Sequence, residues 1–426
     1  MKPGGRRGPT SEVFGISNQV RPDSYVDRGH LDELVGTALT RATHVALRGE
    51  SKCGKSWLRQ RILPDAVVVQ CRLGKTSTDI YRDALSALDI RLEIGQTHGA
   101  GFTGRVEARG ELGLKLLARL GVTSSLERRS DKTRTTRPVG RDVSDLAFIA
   151  DILKASGRRL VIEDFHYLSL EERRNLAFDL KSLWDYGVFV VIAGVWSEQN
   201  MLLYLNPDLT GRVIEVPIVW NENDMRDIFA RGGEALKLTF SDSLQAAAIS
   251  DCYQNVGILQ TLILSMLDQM SLTAEQDKPL LVDDLNALET AAMEYAEQLN
   301  PLYQQFAQRV SRGIRRRRSD PTGIYPHAMA VILDASDEAL TRGLSIDGIY
   351  EPAHARESRI QKGNLHTVLQ KIEGLQVDED GRGLVLAYNE ASREVSVVDR
   401  QILLYRKYST VSWPWDNLIR EARQTE

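Results

Sequence analysis

The chain has 426 residues, a length that corresponds to two to four domains of about 150 residues each. Charged residues make up 26% of the chain and hydrophobic residues 42%, which is ordinary for globular proteins and excludes wholesale disorder. The formal net charge of −4 excludes a chain-wide basic coat for nucleic acid or membranes, although it says nothing about local patches.

Cysteine usage and apolar runs indicate the compartment. The cysteines Cys53, Cys71 and Cys252 are too few for a disulfide scaffold and too far apart for a zinc site. The longest apolar run, residues 188–196, is far shorter than the ~20 residues of a membrane helix. No apolar stretch follows the basic residues 1–9, which argues against a signal peptide. These features predict a soluble, cytoplasmic protein that makes no membrane contact.

Short apolar strands alternate with helices in the first half of the chain. The predicted strands are residues 43–49, 65–71, 160–162, 188–195 and 213–219. The predicted helices between them, where apolar residues recur every three to four positions, include residues 78–88, 143–155 and 170–184. Continuously apolar strands that alternate with helices predict an α/β fold with a parallel sheet covered on both faces.

A basic insertion interrupts this pattern at about residues 95–141. Residues 101–141 hold ten Lys/Arg against four acids, and an amphipathic helix is expected near residues 105–120, followed by a basic loop. Both a solvated insertion and a contact with nucleic acid or a partner fit this composition. The G-x-G-x-x-G match at residues 99–104 has no strand before it, and we interpret it as a flexible loop.

The second half of the chain is predicted to be helical until a final hairpin. The helices after residue 219, where the strands are expected to stop, are residues 222–233, 241–254, 257–270 and 281–300. Three short helices and two alternating strands follow, at residues 327–335, 345–354, 363–372, 383–388 and 394–398. Three helices and a hairpin describe a winged helix.

Residues 49–56 carry the strongest chemical signal. They satisfy G-x-x-x-x-G-K-[ST] between a predicted strand and a predicted helix. Gly49 and Gly54 permit a tight turn whose N–H groups surround a phosphate. Lys55 is expected to reach the β- and γ-phosphates of ATP, and the Ser56 hydroxyl to ligate Mg²⁺. The predicted nucleotide-binding residues of this loop are Gly49, Glu50, Ser51, Lys52, Cys53, Gly54, Lys55 and Ser56.

The strand at residues 160–162 ends in two adjacent acids, Glu163 and Asp164. Carboxylates at a strand end beside a phosphate loop suit a Mg²⁺ ion and an attacking water. Glu163 is expected to hold Mg²⁺ through water or Ser56, and Asp164 to polarise the water, although these roles are exchangeable. The alternative is that both acids only cap the following helix.

Three further polar residues are candidates for contact with the γ-phosphate. Ser197 and Asn200 follow the strand at residues 188–195, where a polar side chain can sense the phosphate, although polar residues after strands are common. Arg212 precedes the fifth strand, from which an arginine can reach the nucleotide of a neighbouring subunit and neutralise charge there. A surface arginine at a strand start is the alternative.

With these motifs in hand, the chain resembles P-loop ATPases of the ASCE class, in the AAA+/STAND group, particularly origin-recognition-like and transposition-type ATPases. Residues 24–28, Ser-Tyr-Val-Asp-Arg, are similar to the entry box that packs on adenine, which implies that Tyr25 and Arg28 bind the nucleotide. Residues 161–166 are similar to the acidic strand of these ATPases, and residues 211–213 to their arginine element. Residues 255–260, where such families place a lid arginine, hold no basic residue, which favours slow, switch-like turnover.

The resemblance also divides the chain. The expected segments are a flexible basic tail (1–24), a P-loop ATPase domain (25–220), a helical lid (221–300), a basic linker (301–326), a winged-helix domain (327–412) and a C-terminal tail (413–426). The linker contains the consecutive arginines from Arg315 to Arg318, and the tail contains Trp413 and Trp415, which either dock a partner or fold back on a domain.

Two functions remain open at this stage. The first is an ATP-controlled, Mg²⁺-dependent switch that oligomerises or couples to DNA or an effector protein, in bacterial defence or a DNA transaction. The second is a winged-helix DNA-binding protein whose assembly ATP regulates with little hydrolysis. In that case Arg315 to Arg318 and the winged helix would neutralise DNA phosphates.

Overall fold

The structure is a computed structural model that describes residues 8–96, 102–108, 110–119, 145–196, 199–312, 323–377, 384–390 and 392–424. The chain forms two compact units. The sheet unit comprises residues 30–49 and 55–218, and the helical unit comprises residues 1–29, 50–54 and 219–426. Ser197, the arginines from Arg315 to Arg318 and most of the predicted basic loop lie outside the described residues. Within the described part, no helix is long and apolar enough to cross a membrane.

The sheet unit alternates strands and helices, as the sequence predicts. Its strands are β1 (His44–Arg48), β2 (Val67–Gln70), β3 (Ile90–Gln96), β4 (Phe102–Ala108), β5 (Leu160–Glu163), β6 (Val191–Gly194) and β7 (Val213–Pro217). Its helices are α1 (Leu31–Thr40), α2 (Lys55–Ile62), α3 (Ser77–Ala87), α4 (Gly110–Arg119), α5 (Leu146–Ser156), α6 (Leu170–Asp185) and α7 (Met201–Leu205). The predicted α/β class with a parallel sheet is confirmed.

Five strands form one sheet in the order β2-β5-β6-β1-β7 within the described residues, and every pair in it is parallel. The central strands β5 and β6 are buried along their whole length, because helices cover both faces. In a parallel sheet all carboxyl ends lie at one edge, which is where ligands bind in open α/β folds. The residues that follow β1, β5 and β6 therefore meet at the same edge.

The helix expected near residues 105–120 is only partly correct. Residues 110–119 are helical, but residues 102–108 form β4, which pairs antiparallel with β3 from Ile90↔Ala108 to Gln96↔Phe102. Apolar and small residues recur at every second position, Phe102, Gly104, Val106 and Ala108, and this period of two is typical of a strand.

The helical unit contains more than helices. Its helices are α8 (Glu222–Leu236), α9 (Asp242–Asp251), α10 (Val256–Gln269), α11 (Leu285–Arg312), α12 (Ile324–Asp334), α13 (Asp337–Arg342), α14 (Ile346–Arg356), α15 (Lys362–Leu369), α16 (Ile372–Gln376), α17 (Gln401–Tyr408) and α18 (Pro414–Gln424). Its strands are β8 (Leu238–Phe240), β9 (Leu280–Val282), β10 (Leu344–Ser345), β11 (Leu386–Asn389) and β12 (Glu394–Val397). The expectation of no strand between residue 219 and the hairpin is wrong, since β8 and β9 pair in parallel.

The N-terminal segment is not a tail over its described part. Phe14 is fully buried and Thr10 almost so, and the Thr10 hydroxyl donates to the carbonyl oxygen of Leu272 at 2.8 Å. The Gly15 N–H donates to Gln260 Oε1 at 2.9 Å. The apolar pair of Val13 and Phe14 explains the difference, because its burial outweighs the ordering of a Gly/Pro-rich segment.

The predicted linker and C-terminal tail also need correction. Helix α11 runs through Pro301 to Arg312, because buried residues continue its three-to-four spacing and outweigh the ~3 kcal/mol that an interior proline costs. These buried residues are Tyr303, Phe306, Ala307 and Val310. The end of the chain forms α18, and Trp415 is 1% exposed, which confirms that it folds back on the unit.

The C-terminal region, residues 324–424, contains a three-stranded sheet in the order β10-β12-β11. Strands β11 and β12 form the predicted antiparallel hairpin, from Leu386↔Val397 to Asn389↔Glu394. Helices α12, α14 and α15 lie where the three short helices were expected. The winged-helix assignment itself stays a prediction.

Phe14 tests whether the N-terminal segment stabilises the fold. We expect Phe14→Ala to lower the free energy of unfolding by about 3 kcal/mol, because a fully buried ring leaves a cavity. The matched control is Ile16→Ala, since Ile16 is 53% exposed. Thermal unfolding of both variants measures the effect. Equal melting temperatures would mean that residues 8–16 do not contribute to the core.

His44, at the start of β1, makes stability depend on pH. Its Nε2 donates to the carbonyl oxygen of Leu180 at 2.9 Å and its Nδ1 accepts from the Val190 N–H at 2.9 Å, so the ring is neutral. Burial is the largest cause that lowers the pKa of His44 from 6.5 to about 4. Between pH 6.5 and pH 4 the unfolded chain therefore binds more protons than the folded chain. The contribution of His44 to the free energy of unfolding is fully present above pH 6.5 and is lost as the pH falls towards 4.

We expect this histidine to account for ~3 kcal/mol of destabilisation between pH 7 and pH 4. The measurement is urea denaturation at pH 7, 6 and 5 for the wild-type chain and for His44→Gln. The variant should show a shallower dependence on pH, although His166, whose pKa is also lowered to about 4, leaves part of it in place. An identical dependence in the two proteins would contradict the assignment.

Candidate functional site

The predicted phosphate loop begins directly after β1, and Lys55 is the first residue of α2. Lys55 is 9% exposed, and its Nζ donates to the carbonyl oxygen of Gly49 at 2.9 Å. Ser56 follows it in the first turn of α2 and is exposed. The positive end of the helix dipole and a lysine ammonium thus lie together at the carboxyl edge of the sheet, which is an arrangement that binds anions.

Glu163 ends β5 at the same edge and is 9% exposed. Its Oε1 lies 3.1 Å from Nε of Arg59, a residue of α2. A nearly buried carboxylate is costly unless it is paired, and Arg59 both neutralises and orients it. The ion pair joins the acidic strand end to the helix that begins with Lys55.

Asp164 follows Glu163 with a left-handed backbone, at a φ of 58°. Its Oδ2 accepts a hydrogen bond from Nε2 of Gln70 at 2.9 Å. Gln70 ends β2, the neighbouring strand, and lies opposite Glu163 in the register. Each of the two predicted acids is therefore held by a different long polar side chain.

His166 connects the ends of two strands. Its Nδ1 accepts from the backbone N–H of Val195, just after β6, at 3.3 Å. Burial is the largest cause that lowers the pKa of His166 to about 4; Lys55 and Arg173 lower it further, and Asp164 opposes them. The ring is neutral near pH 7, and it fixes the turn after Asp164 relative to the end of β6.

Of the sensor candidates, Asn200 falls within the described residues. It precedes α7 with a φ of 58°, and its backbone N–H donates to Oε2 of Glu215 at 3.1 Å. Asn200 is exposed. A role of Asn200 at the γ-phosphate stays a prediction.

Arg212 lies at the opposite edge of the sheet from the phosphate loop. Its carbonyl oxygen accepts from the N–H of His44, the first residue of β1. The five residues of β1 therefore separate it from Gly49, a distance of ~16 Å at strand spacing. Its guanidinium packs over the ring of Trp184, 4.7 Å from the ring centre, and donates to the carbonyl oxygen of Asp208. The sheet does not bring Arg212 together with Lys55.

Residues 50–54 of the loop belong to the helical unit, where their backbone is anchored. The carbonyl oxygen of Cys53 accepts two hydrogen bonds, from Nη1 of Arg28 at 2.7 Å and from Nε1 of Trp220 at 2.9 Å. The Arg28 guanidinium also stacks on the Trp220 ring, 4.3 Å from its centre. Gly54 has a φ of 90° and passes so close to Arg28 that a side chain there would crowd it. Arg28 thus lies at the loop, as the entry box implies.

Tyr25, the other predicted entry-box residue, is 5% exposed. Its carbonyl oxygen accepts from Nη1 of Arg231, a residue of α8. The side chain of the preceding residue, Ser24, donates to the carbonyl oxygen of Val13 at 2.5 Å. The entry box is therefore fixed in the helical unit by its backbone, and contact between Tyr25 and adenine stays a prediction.

Polar residues before α10 and before α17 hold the first half of the loop. Asn255 donates through Nδ2 to Oε2 of Glu50 at 3.3 Å and to the carbonyl oxygen of Ser51 at 3.2 Å. Arg400, just before α17, pairs through Nε with Oε1 of Glu50 at 2.6 Å. Gly257 approaches Lys52 so closely that a Cβ there would lie 2.4 Å from the Cβ of Lys52.

Lys52 belongs to a continuous polar network. Its Nζ donates to Oε1 of Gln401 at 3.1 Å and lies 3.5 Å from the Tyr295 hydroxyl. Gln401 in turn donates to Asp399 at 3.0 Å, and the Tyr303 hydroxyl donates to the other oxygen of Asp399 at 2.8 Å. Burial lowers the pKa of Lys52, and Asp399 opposes that shift.

The site contains donors suited to a nucleotide and Mg²⁺. The loop and the N-terminus of α2 offer backbone N–H groups for phosphate, and Ser56 and Glu163 offer the hard oxygen ligands that Mg²⁺ prefers. Within the described residues no cluster of three or more His, Cys, Asp or Glu could hold a metal alone.

Sequence reasoning missed several residues that hold the site: Arg59, Gln70, Trp220, Asn255, Arg400 and Gln401. Gln70 ends a predicted strand beside the acidic one, so a correct strand order would have found it. Arg400 and Gln401 lie about 350 positions from the loop, and no local pattern signals them.

Comparison with known proteins gives fold-level likenesses only. No protein-family model matches the chain, and no curated protein does. Among solved structures, ORC1 of Aeropyrum pernix in complex with DNA is 12% identical, with 91% of this chain and 93% of that chain covered and a TM-score of 0.37. A RuvB variant of Thermotoga maritima is 15% identical, with 92% and 99% covered and a TM-score of 0.38.

A STAND protein from Pyrococcus horikoshii, a signal transduction ATPase with a tetratricopeptide repeat sensor, is 12% identical at a TM-score of 0.37. The match covers 97% of this chain but 46% of that one, so this chain spans about half of its length. The sequence identities and TM-scores are low, so these likenesses carry no argument about the site.

Trp220 tests the anchoring of the loop. We expect Trp220→Leu to raise amide hydrogen exchange in residues 50–54 about tenfold, because Cys53 loses one of its two hydrogen-bond donors and Arg28 loses the ring beneath it. The matched control is Trp184→Leu, since Trp184 Nε1 also donates to a backbone carbonyl, that of Ala42, at 2.7 Å. Unchanged exchange in the loop of Trp220→Leu would contradict the anchoring role.

Proposed function

We propose that the chain is a Mg²⁺-dependent ATPase that binds ATP at residues 49–56 and works as a slow, nucleotide-controlled switch. The position of Lys55 carries this proposal. Its ammonium is almost buried against Gly49, at the sheet edge where Glu163 and Asp164 follow from β5, which is separated from β1 by β6. A lysine, a glycine turn, a helix N-terminus and two acids at one edge suit a nucleoside triphosphate with its metal.

In this proposal each polar group has a task. The loop amides and Lys55 bind the β- and γ-phosphates, and Ser56 and Glu163 hold Mg²⁺, which neutralises charge on the phosphates when it is bound. Asp164 orients the attacking water and accepts its proton. Glu163 and Asp164 can exchange these roles, because both lie at the carboxyl end of β5.

Slow turnover is supported by the contacts of the two acids. Arg59 is paired with Glu163, and Gln70 donates to Asp164, so the partner of each carboxylate competes with metal and water for it. The absence of a basic residue at 255–260, read from the sequence, agrees with this. A site that needs rearrangement before each turnover suits a switch better than a motor.

Arg212 supports a role for a second copy of the chain. It lies at the amino end of β7, far from the phosphate loop of its own chain, and is held by Trp184 and Asp208. An arginine in that place can complete the site only by reaching the nucleotide of a neighbour. Homo-oligomerisation in the ATP state is therefore part of the proposal, and a protein effector is the proposed output.

The DNA-binding alternative receives no support from the charge of the C-terminal region. Residues 324–408 contain 13 Asp/Glu against 10 Lys/Arg. Several basic side chains within its described part are paired with acids of the same chain, as in Arg356–Asp334, Arg359–Glu357 and Lys362–Asp347. A surface that neutralises DNA phosphates needs a basic excess, and this region lacks one.

Lys55→Ala tests the proposal. We expect ATP retention in filter binding with Mg²⁺ to fall at least about a hundredfold in affinity, because the ammonium that meets the β- and γ-phosphates is gone. The matched control is Lys181→Ala, which removes a surface lysine that pairs with Asp185 on α6. Equal ATP retention by the wild-type chain and Lys55→Ala would contradict ATP binding at this loop.

A further inference from the structure

We propose that Arg400, in the C-terminal region, is a positioning residue for the nucleotide phosphates and acts through Glu50. This inference rests on the proposed function, since it assumes that residues 49–56 bind phosphate. It goes further because it makes nucleotide affinity depend on a residue about 350 positions away, next to α17.

Glu50 creates an electrostatic problem for the loop. It is the residue after Gly49 in a segment that has to receive two or three negatively charged phosphates. A carboxylate so close to a phosphate repels it, by an amount that depends strongly on local solvent screening. A phosphate loop with an acid at this position therefore binds best when that acid is neutralised and held aside.

The structure provides this neutralisation from within the helical unit. Nε of Arg400 lies 2.6 Å from Oε1 of Glu50, and Nδ2 of Asn255 donates to Oε2 at 3.3 Å. Both carboxylate oxygens thus have donors outside the loop. The side chains of Arg400 and Glu50 are 20% and 27% exposed, so water screens the pair only in part.

Arg400 is itself fixed in place. Its Nη1 donates to the carbonyl oxygen of Tyr253 at 2.8 Å and to Oε1 of Gln254 at 3.0 Å, at the end of the lid helix α9. Both of these residues have left-handed backbones, with φ of 49° and 62°, which turns the Tyr253 carbonyl to Arg400. Arg400 contacts Glu50 through Nε while its Nη1 is held by Tyr253 and Gln254. The guanidinium therefore stays in place and fixes the direction of the Glu50 side chain.

The helix after Arg400 is anchored at its other end too. Lys407, near the end of α17, pairs with Asp251 at 2.5 Å, and Asp251 is 3% exposed. Between these ends Gln401 accepts from Lys52, so the start of α17 holds two side chains of the phosphate loop. Nucleotide affinity should therefore report whether α17 is docked on the loop.

Charge-neutral substitutions of the pair test this in the full-length chain. We expect Arg400→Gln to weaken ATP binding about tenfold in calorimetric titration with Mg²⁺, because Glu50 loses its counter-charge. The second arm is Arg400→Gln in the Glu50→Gln background. There the substitution of Arg400 should cause no further loss of ATP affinity relative to Glu50→Gln alone, because the acid that needed neutralising is gone.

The matched control is Arg406→Gln. Arg406 lies on α17, donates to the carbonyl oxygens of Leu333 and Ala335, and pairs with Asp337. None of these partners belongs to the loop. Its substitution should leave ATP affinity unchanged. If Arg406→Gln and Arg400→Gln weaken ATP binding equally, Arg400 acts only by holding α17 in place, and the inference is overturned.

Two other outcomes would also overturn it: no effect of Arg400→Gln, or the same loss in the Glu50→Gln background. If Arg400→Gln fails to fold, Arg400→Lys carries the test, since it keeps the charge and loses the planar guanidinium. A loss of ATP affinity of about threefold that disappears in the Glu50→Gln background is expected, whereas unchanged affinity, or the same loss in both backgrounds, contradicts the inference. These outcomes differ from the one expected if the loop does not bind ATP at all. In that case the wild-type chain would bind ATP no better than Lys55→Ala.

Discussion

A loop that binds phosphate with its backbone must have its carbonyls and side chains held by other groups. Residues 50–54 meet this constraint through contacts from elsewhere in the helical unit. The Cys53 carbonyl is bound by Arg28 and Trp220, and the Ser51 carbonyl by Asn255. These contacts fix the backbone of residues 50–54, and a fixed turn is what a phosphate-binding loop requires.

The same contacts join the loop to the C-terminal region within the helical unit. Glu50 pairs with Arg400, and Lys52 donates to Gln401, so residues next to and within α17 hold two side chains of the loop. A change in the position of α17 would therefore alter the contacts of Glu50 and Lys52.

The sequence predicts the parts of this protein that local chemistry determines. The motif from Gly49 to Ser56 and the acids after β5 are recognisable because spacing within a few residues fixes their geometry, and continuous apolar runs locate the parallel strands. Trp220 and Arg400 were missed because each meets the loop across more than 160 residues. The pattern at residues 105–120 predicts a helix throughout, although the period of two from Phe102 to Ala108 indicates a strand. The helix predicted to end at Asn300 continues to Arg312, because buried residues follow it.

The most direct test of the account is a structure of the full-length chain with Mg²⁺ and a non-hydrolysable ATP analogue. We expect the β- and γ-phosphates to lie within hydrogen-bond distance of Lys55 and the loop amides. Mg²⁺ should be coordinated by the Ser56 hydroxyl, and Glu50 should still pair with Arg400. A nucleotide bound elsewhere, or a loop with Lys55 still bonded to Gly49 beside a saturating analogue, would contradict it.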